Sequence, residues 1–91
     1  MRQPETIDDD DAVALALHAL IWTLQDDRRA DRLIALTGLD PSDLKARADD
    51  PAVLAAVISF LQSHQPDLMA CADALGATPE HLILAAERLT A

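Results

Sequence analysis

The sequence predicts an all-α protein, a compact bundle of five or six short helices in a single domain. Of its 91 residues, 51% are hydrophobic, and most of these are alanine and leucine, which are strong helix formers. Aromatic residues make up only 2% and β-branched residues are sparse, which disfavours strands. A chain of this length supports one core. We therefore expect one helical domain over residues 8–91, behind a flexible N-terminal tail at residues 1–7.

The first two helices are predicted from capping and terminating residues. Asp8–Asp11 place four carboxylates where the first helix begins, and acidic groups there complement the free backbone N–H groups. This helix is expected over about 8–24, and it is apolar nearly all round, as a central helix would be. After a break at 25–27, a second helix is expected over 28–37. Gly38 ends it as a left-handed terminator.

Proline and glycine delimit the remaining helices in the same way. Asp40-Pro41 and Asp49-Asp50-Pro51 each combine a capping carboxylate with a proline at the first helical position, where its missing N–H costs nothing. Gly76 ends a helix, and Thr78-Pro79 begins another. The predicted segments are 41–48, 51–62, 66–75 and 79–89.

The two glycine junctions are alike when the chain is compared with itself 38 positions along. Both read Gly-x-x-Pro-x-x-Leu, with Asp40 or Thr78 as the cap, and the matched pairs are Gly38 with Gly76, Pro41 with Pro79, Leu44 with Leu82 and Ala48 with Ala86. Each copy predicts a tight bend between two helices. Duplication of a helical hairpin and convergence on a favourable junction both explain the pattern.

The order of these segments resembles the DUF3572 family of small bacterial proteins of unknown function. The resemblance lies in Arg32–Pro41, in Asp49-Asp50-Pro51 before an apolar helix, and in the helix ending at Gly76, and it extends over about residues 12–89. It implies a helical fold and a bacterial cytoplasm, but no activity and no catalytic residues. Leu33, Val53 and Cys71 stand where the family pattern has phenylalanine, so no role is expected of an aromatic ring there.

The charge of the chain restricts the classes of partner that it is expected to bind. The formal net charge of -9 repels phosphate backbones and anionic membranes, disfavours nucleic acid and attracts a basic protein partner. The longest apolar run, 12–24, is too short to span a membrane. The polar start of the chain is unlike a signal peptide, and the single cysteine fits a reducing compartment. We expect a cytoplasmic protein.

No residue pattern in the chain predicts catalysis, a cofactor or a metal. Adjacent carboxylates at Asp8–Asp11 point about 100° apart on a helix and do not converge on a cation. His18, His64 and His81 lie on different segments, and none has a second ligand at metal-binding spacing. Cys71 lies on the inward side of its helix, where a buried thiol is ordinary packing. We therefore expect no enzyme.

Residues 69–89 are predicted to form a helix, a Gly-Ala-Thr turn and a second helix, and they have the length of a helix-turn-helix motif. The helix that would read DNA carries Glu80 and Glu87 against a single Arg88. It offers no glutamine or lysine for base edges. A degenerate helix-turn-helix regulator is therefore the alternative function, and electrostatics disfavour it.

The first helix carries the most informative surface pattern. Asp11, His18 and Gln25 lie seven residues apart and form one polar stripe, with Leu15 and Trp22 beside it. Either a neighbouring segment of the chain covers the two apolar side chains, or a partner does. Tryptophan is a frequent anchor in interfaces. The leading hypothesis is a non-enzymatic interaction module or adaptor, with Leu15, His18 and Trp22 as the partner surface and a homodimer as one form of association.

Overall fold

Six α-helices make up the chain in a computed structural model that describes residues 8–90, and no strand occurs in that range. The predicted tail at residues 1–7 lies outside the described residues. The all-α prediction is confirmed. The helices are α1 (Asp9–Leu24), α2 (Asp27–Thr37), α3 (Pro41–Ala46), α4 (Pro51–Gln62), α5 (Gln65–Ala74) and α6 (Pro79–Leu89).

Helix α2 begins one residue earlier than the sequence predicts, at Asp27. The cap is Asp26, whose side chain accepts hydrogen bonds from the backbone N–H groups of Arg28 and Arg29 at 2.9 and 3.1 Å. The break after α1 is therefore only Gln25 and Asp26. This short connection places the start of α2 close to the end of α1.

Helices α3 and α5 also differ from their predicted bounds. α3 ends at Ala46, two residues early, because Arg47 leaves the helical conformation with φ -111° and ψ 26°. α5 begins at Gln65, with the extended His64 before it and Pro66 within its first turn. Proline is tolerated throughout the first turn of a helix, where backbone N–H groups have no acceptor inside the helix.

Three helices, α1, α4 and α6, pack against one another and form the centre, with α2 and α5 beside them. α4 supplies most of the large core side chains: Val53, Leu54, Val57, Ile58, Phe60 and Leu61. α1 instead turns Ala12, Ala16 and Ala19 inward, each fully buried. Methyl-sized side chains let the neighbouring helices approach α1 closely.

The two junctions share a backbone conformation. Gly38 and Gly76 have φ of 74° and 67°, the left-handed region that other residues enter only with strain. Leu44 and Leu82, which follow them, are both fully buried. The helices that follow the two junctions differ in length and position. α3 has only six residues, whereas α6 is longer and packs in the centre of the bundle.

Candidate protein-interaction surface

The three residues predicted as a partner surface differ in their exposure to solvent. His18 is exposed, whereas Leu15 and Trp22 are partly buried and pack against the hydrophobic core. These two apolar side chains therefore form the edge of the core. Whether they also contact a partner stays a prediction.

Trp22 is covered by an arginine from the next helix. The Arg29 guanidinium lies 3.6 Å from the centroid of the indole ring. Its Nη2 donates a hydrogen bond to the backbone carbonyl of Trp22 at 3.0 Å. The Asp26 cap holds the first turn of α2 where this side chain reaches back to α1. The covering group is thus part of the same chain, and its contacts join the start of α2 to the end of α1.

The polar stripe on α1 is exposed as the sequence predicts: Asp11, His18 and Gln25 are all at the surface. It has a second apolar flank, opposite to Leu15 and Trp22, that sequence reasoning missed. Ile21 lies on that flank and is 48% exposed. At about 100° per residue, Leu17 and Ile21 lie within about 40° of each other around the helix.

This second flank borders an open groove between α1 and the end of α3, with a volume of about 320 Å³. We call it the α1 groove, and its lining residues are Leu17, Leu20, Ile21, Leu24, Gln25, Lys45 and Ala48. Nearly all of that lining is aliphatic. Apolar surface edged by polar groups marks a docking site for another macromolecule when the patch is extensive, and here the groove provides the apolar part of a candidate site.

Lys45 is the only lysine of the chain, and it lies at the edge of the α1 groove. It makes neither a side-chain hydrogen bond nor an ion pair with any of residues 8–90. By contrast, Arg32 pairs with Asp67, and Arg88 with Asp9. The α1 groove therefore combines an apolar floor with a cation that is available to a ligand.

Two other grooves lie elsewhere on the described surface, each of about 440 Å³. One runs beside Leu36, which is 63% exposed, and includes Arg47, whose Nη2 contacts Asp50 at 3.1 Å. The other lies between Asp9 and Arg88, which pair with each other. In both, the cation is already neutralised, so neither offers a free charge to a partner.

No group of three or more metal-ligating side chains occurs among residues 8–90. In the acidic run, Asp8 accepts a hydrogen bond from the Asp11 backbone as the cap of α1, and Asp9 binds Arg88. Cys71 is fully buried, and burial raises the pKa of its thiol to about 11. Such a thiol stays protonated at neutral pH and is a poor nucleophile.

The helix-turn-helix alternative gains no support from the position of α6. This helix packs against α1, α4 and α5, as a core helix does. Its exposed residues are Glu80, Glu87 and Arg88, and the arginine already pairs with Asp9. The face that would enter a DNA groove therefore carries two carboxylates that form no ion pair with residues 8–90, and phosphate groups repel them.

The fold and this surface define a small acidic helical domain whose α1 groove is mostly apolar and is lined by one basic residue, Lys45. The chain matches the model of the family described as protein of unknown function (DUF3572) over residues 9–91, and it belongs to that family. Neither the curated proteins nor the solved structures include a match. None of the helices within residues 8–90 is long and apolar enough to cross a membrane.

The three positions that are expected from the sequence to depart from the family pattern are all buried. Leu33 and Cys71 are fully buried and Val53 is 5% exposed.

Proposed function

We propose that this protein is a non-enzymatic interaction module that binds another protein through the α1 groove and the exposed stripe beside it. The observation that carries the proposal is that one apolar groove is lined both by the half-exposed Ile21 and by Lys45, which forms no ion pair with residues 8–90. His18 remains part of the surface. Ile21 is its exposed apolar anchor, and the partly buried Leu17 and Leu24 line the groove next to it.

The chemistry of the described residues supports a binding role over a catalytic one. The chain's only thiol is buried, with a raised pKa, and the exposed histidines lie apart on α1 and before α5. Enzymatic catalysis needs reactive groups within hydrogen-bond reach of one another. The surface instead offers aliphatic area and one cation, which is what recognition of a helix requires.

The net charge of -9 adds a preference for partners with a basic region. The acidic first turn of α1 lies on the same helix as the groove. A partner that spans both would present a cation to Asp10 or Asp11 and an anion to Lys45. A cytoplasmic location goes with this proposal, because an unpaired cysteine is compatible with a reducing compartment.

A photo-crosslinking amino acid at position 21 tests the proposal in the native cell. Met69 is the matched control, because it is also a large apolar residue, 59% exposed, on a different helix. We expect a discrete adduct from position 21 that is absent from position 69, and a weaker one when Lys45→Glu is added. The same adducts from both positions, or none from position 21, would refute the proposal.

A further inference from the structure

Opposite charges lie at the two ends of the exposed face of α1, so two copies of this face packed antiparallel would be electrostatically complementary. Asp10 and Asp11 lie in its first turn, and neither forms an ion pair with residues 8–90. Lys45 of α3, which forms no ion pair with residues 8–90, lines the same groove as Gln25, the residue that follows the other end of α1. One end of the face is therefore anionic and the other cationic, with aliphatic side chains between.

The spacing of the exposed residues is also symmetrical. His18 lies seven residues after Asp11 and seven before Gln25, and all three are exposed. When two identical helices pack antiparallel about a two-fold axis at His18, the Asp11 end of each copy meets the Gln25 end of the other. At 1.5 Å per residue this contact extends over about 21 Å.

Side-chain size fits the same arrangement. Ala14, which is exposed, lies on the half of the face before His18, and the half-exposed Ile21 lies on the half after it. In the antiparallel pair the small residue of one copy meets the large residue of the other. Such alternation lets two helices interdigitate with axes about 8–10 Å apart.

The two unpaired charges also lie on matching sides of the contact. Asp10, Leu17 and Ile21 lie within about 40° of one another around α1, and Lys45 lines the groove that Leu17 and Ile21 also line. Rotation about a two-fold axis perpendicular to the two helices keeps this flank on the same side in both copies. Asp10 of one copy then lies near Lys45 of the other.

We propose that a second copy of this chain packs on the exposed face of α1 next to the α1 groove, held by antiparallel α1 helices with His18 at the two-fold axis and reciprocal Asp10–Lys45 pairs. This inference rests on the proposed function and specifies its partner. The net charge of -9 on each copy opposes association at long range. At 0.15 M salt that repulsion is screened beyond about 8 Å, whereas close pairs are affected less.

Sedimentation velocity of the full chain at this salt concentration, over a series of protein concentrations, tests the inference. We expect a monomer–dimer equilibrium. His18→Asp places two carboxylates face to face at the axis and should raise the dimer Kd by about tenfold or more. His64→Asp is the matched control, since it makes the same charge change at an exposed site before α5 and should leave the Kd unchanged.

A charge exchange tests the pairing itself. Asp10→Lys and Lys45→Glu should each weaken the dimer by about tenfold, because each puts like charges together. The two changes in one chain should restore most of the affinity. Circular dichroism establishes that each variant keeps its helices.

Oxidation gives a geometric check that does not depend on affinity. His18→Cys should form an intermolecular disulfide readily, because a residue at the axis faces itself, while His64→Cys should not. Cys71 does not interfere, since it is buried and its pKa is raised. A chain that stays monomeric, or a dimer insensitive to position 18, overturns the inference. A heterologous adduct from position 21 would still uphold the proposed function.

Discussion

Replacing Trp22 with alanine decides whether the indole belongs to the fold or to an interface. If the indole were an interface anchor, as the predicted Leu15, His18 and Trp22 surface implies, its loss would weaken association and leave the fold intact. The structure instead packs Trp22 against the core and stacks Arg29 on its ring at 3.6 Å. Trp22→Ala should therefore reduce the free energy of unfolding of the domain.

The size of this effect follows from the partial burial of Trp22. Truncating a fully buried tryptophan costs about 3–5 kcal/mol, so a half-buried one should cost about 2 kcal/mol. Loss of the cation–π contact with Arg29 adds about 0.5–1 kcal/mol. At a denaturant dependence of about 1–2 kcal/mol per molar urea, the midpoint should fall by about 1–3 M.

Urea unfolding followed by circular dichroism measures this change, since the variant lacks the fluorescent reporter. Met69→Ala is the control, because a residue 59% exposed on α5 should change stability by less than about 0.5 kcal/mol. Arg29→Met, alone and with Trp22→Ala, isolates the stacking contribution. A Trp22→Ala loss below about 0.5 kcal/mol would show that the indole does not hold the fold, and the reasoning from its contacts would fail.

Substitutions at glycine, cysteine and aspartate residues give further tests. Gly38→Ala and Gly76→Ala should each cost about 1 kcal/mol in urea unfolding, from left-handed strain alone, because no atom lies within 4 Å of the added Cβ; a much larger loss would indicate a clash. Burial raises the pKa of Cys71 from its ordinary 9.0 to about 11, so the unfolded chain ionises first. Stability should therefore be intact below pH 9.0 and fall as the pH rises to about 11, a decline of about 2–3 kcal/mol that Cys71→Ala abolishes. Backbone N–H donors lower the pKa of Asp26 and Asp50 below 3.8; their contribution is present above that pH and lost as it falls, and an acid titration of Asp50→Asn should lack its part of the loss.

Helix positions could be predicted from the sequence because the signals that begin and end helices are local. Asp40 caps α3 by accepting from the Asp43 backbone at 2.9 Å, and the Asp43 side chain accepts from the Asp40 backbone in return. Thr78 caps α6 in a similar way, through the His81 backbone at 3.1 Å. Such bonds join residues three apart, so the sequence itself contains both partners.

The bounds that were wrong lie where several nearby residues compete for one role. Before α2, Asp26 and Asp27 are both good caps, and the geometry that lets Asp26 reach two backbone donors selects it. At the end of α3 no glycine or proline fixes the last residue, and the helix stops when Arg47 adopts a non-helical conformation. Choices of this kind depend on the tertiary fold.

The candidate surface was only partly predictable. Its polar stripe follows from the periodicity of α1 alone, and His18 was placed correctly at the surface. Which apolar flank stays open depends on the direction that α2 takes, and Arg29 covers the Trp22 side. Lys45 reaches the groove from a helix that follows Gly38. No pattern within the sequence of α1 contains that information.

The inward alanines of α1 have a consequence for how this helix is divided. Three of the five buried residues of this helix are alanines, and the other two are Leu20 and Thr23. Ala12, Ala16 and Ala19 occupy the inside, whereas Ile21 is 48% exposed. Enlarging an inner alanine would disrupt the packing of the monomer, whereas trimming Ile21 would reduce the apolar area that the groove offers to a partner. Stability and recognition can therefore vary independently along a single helix.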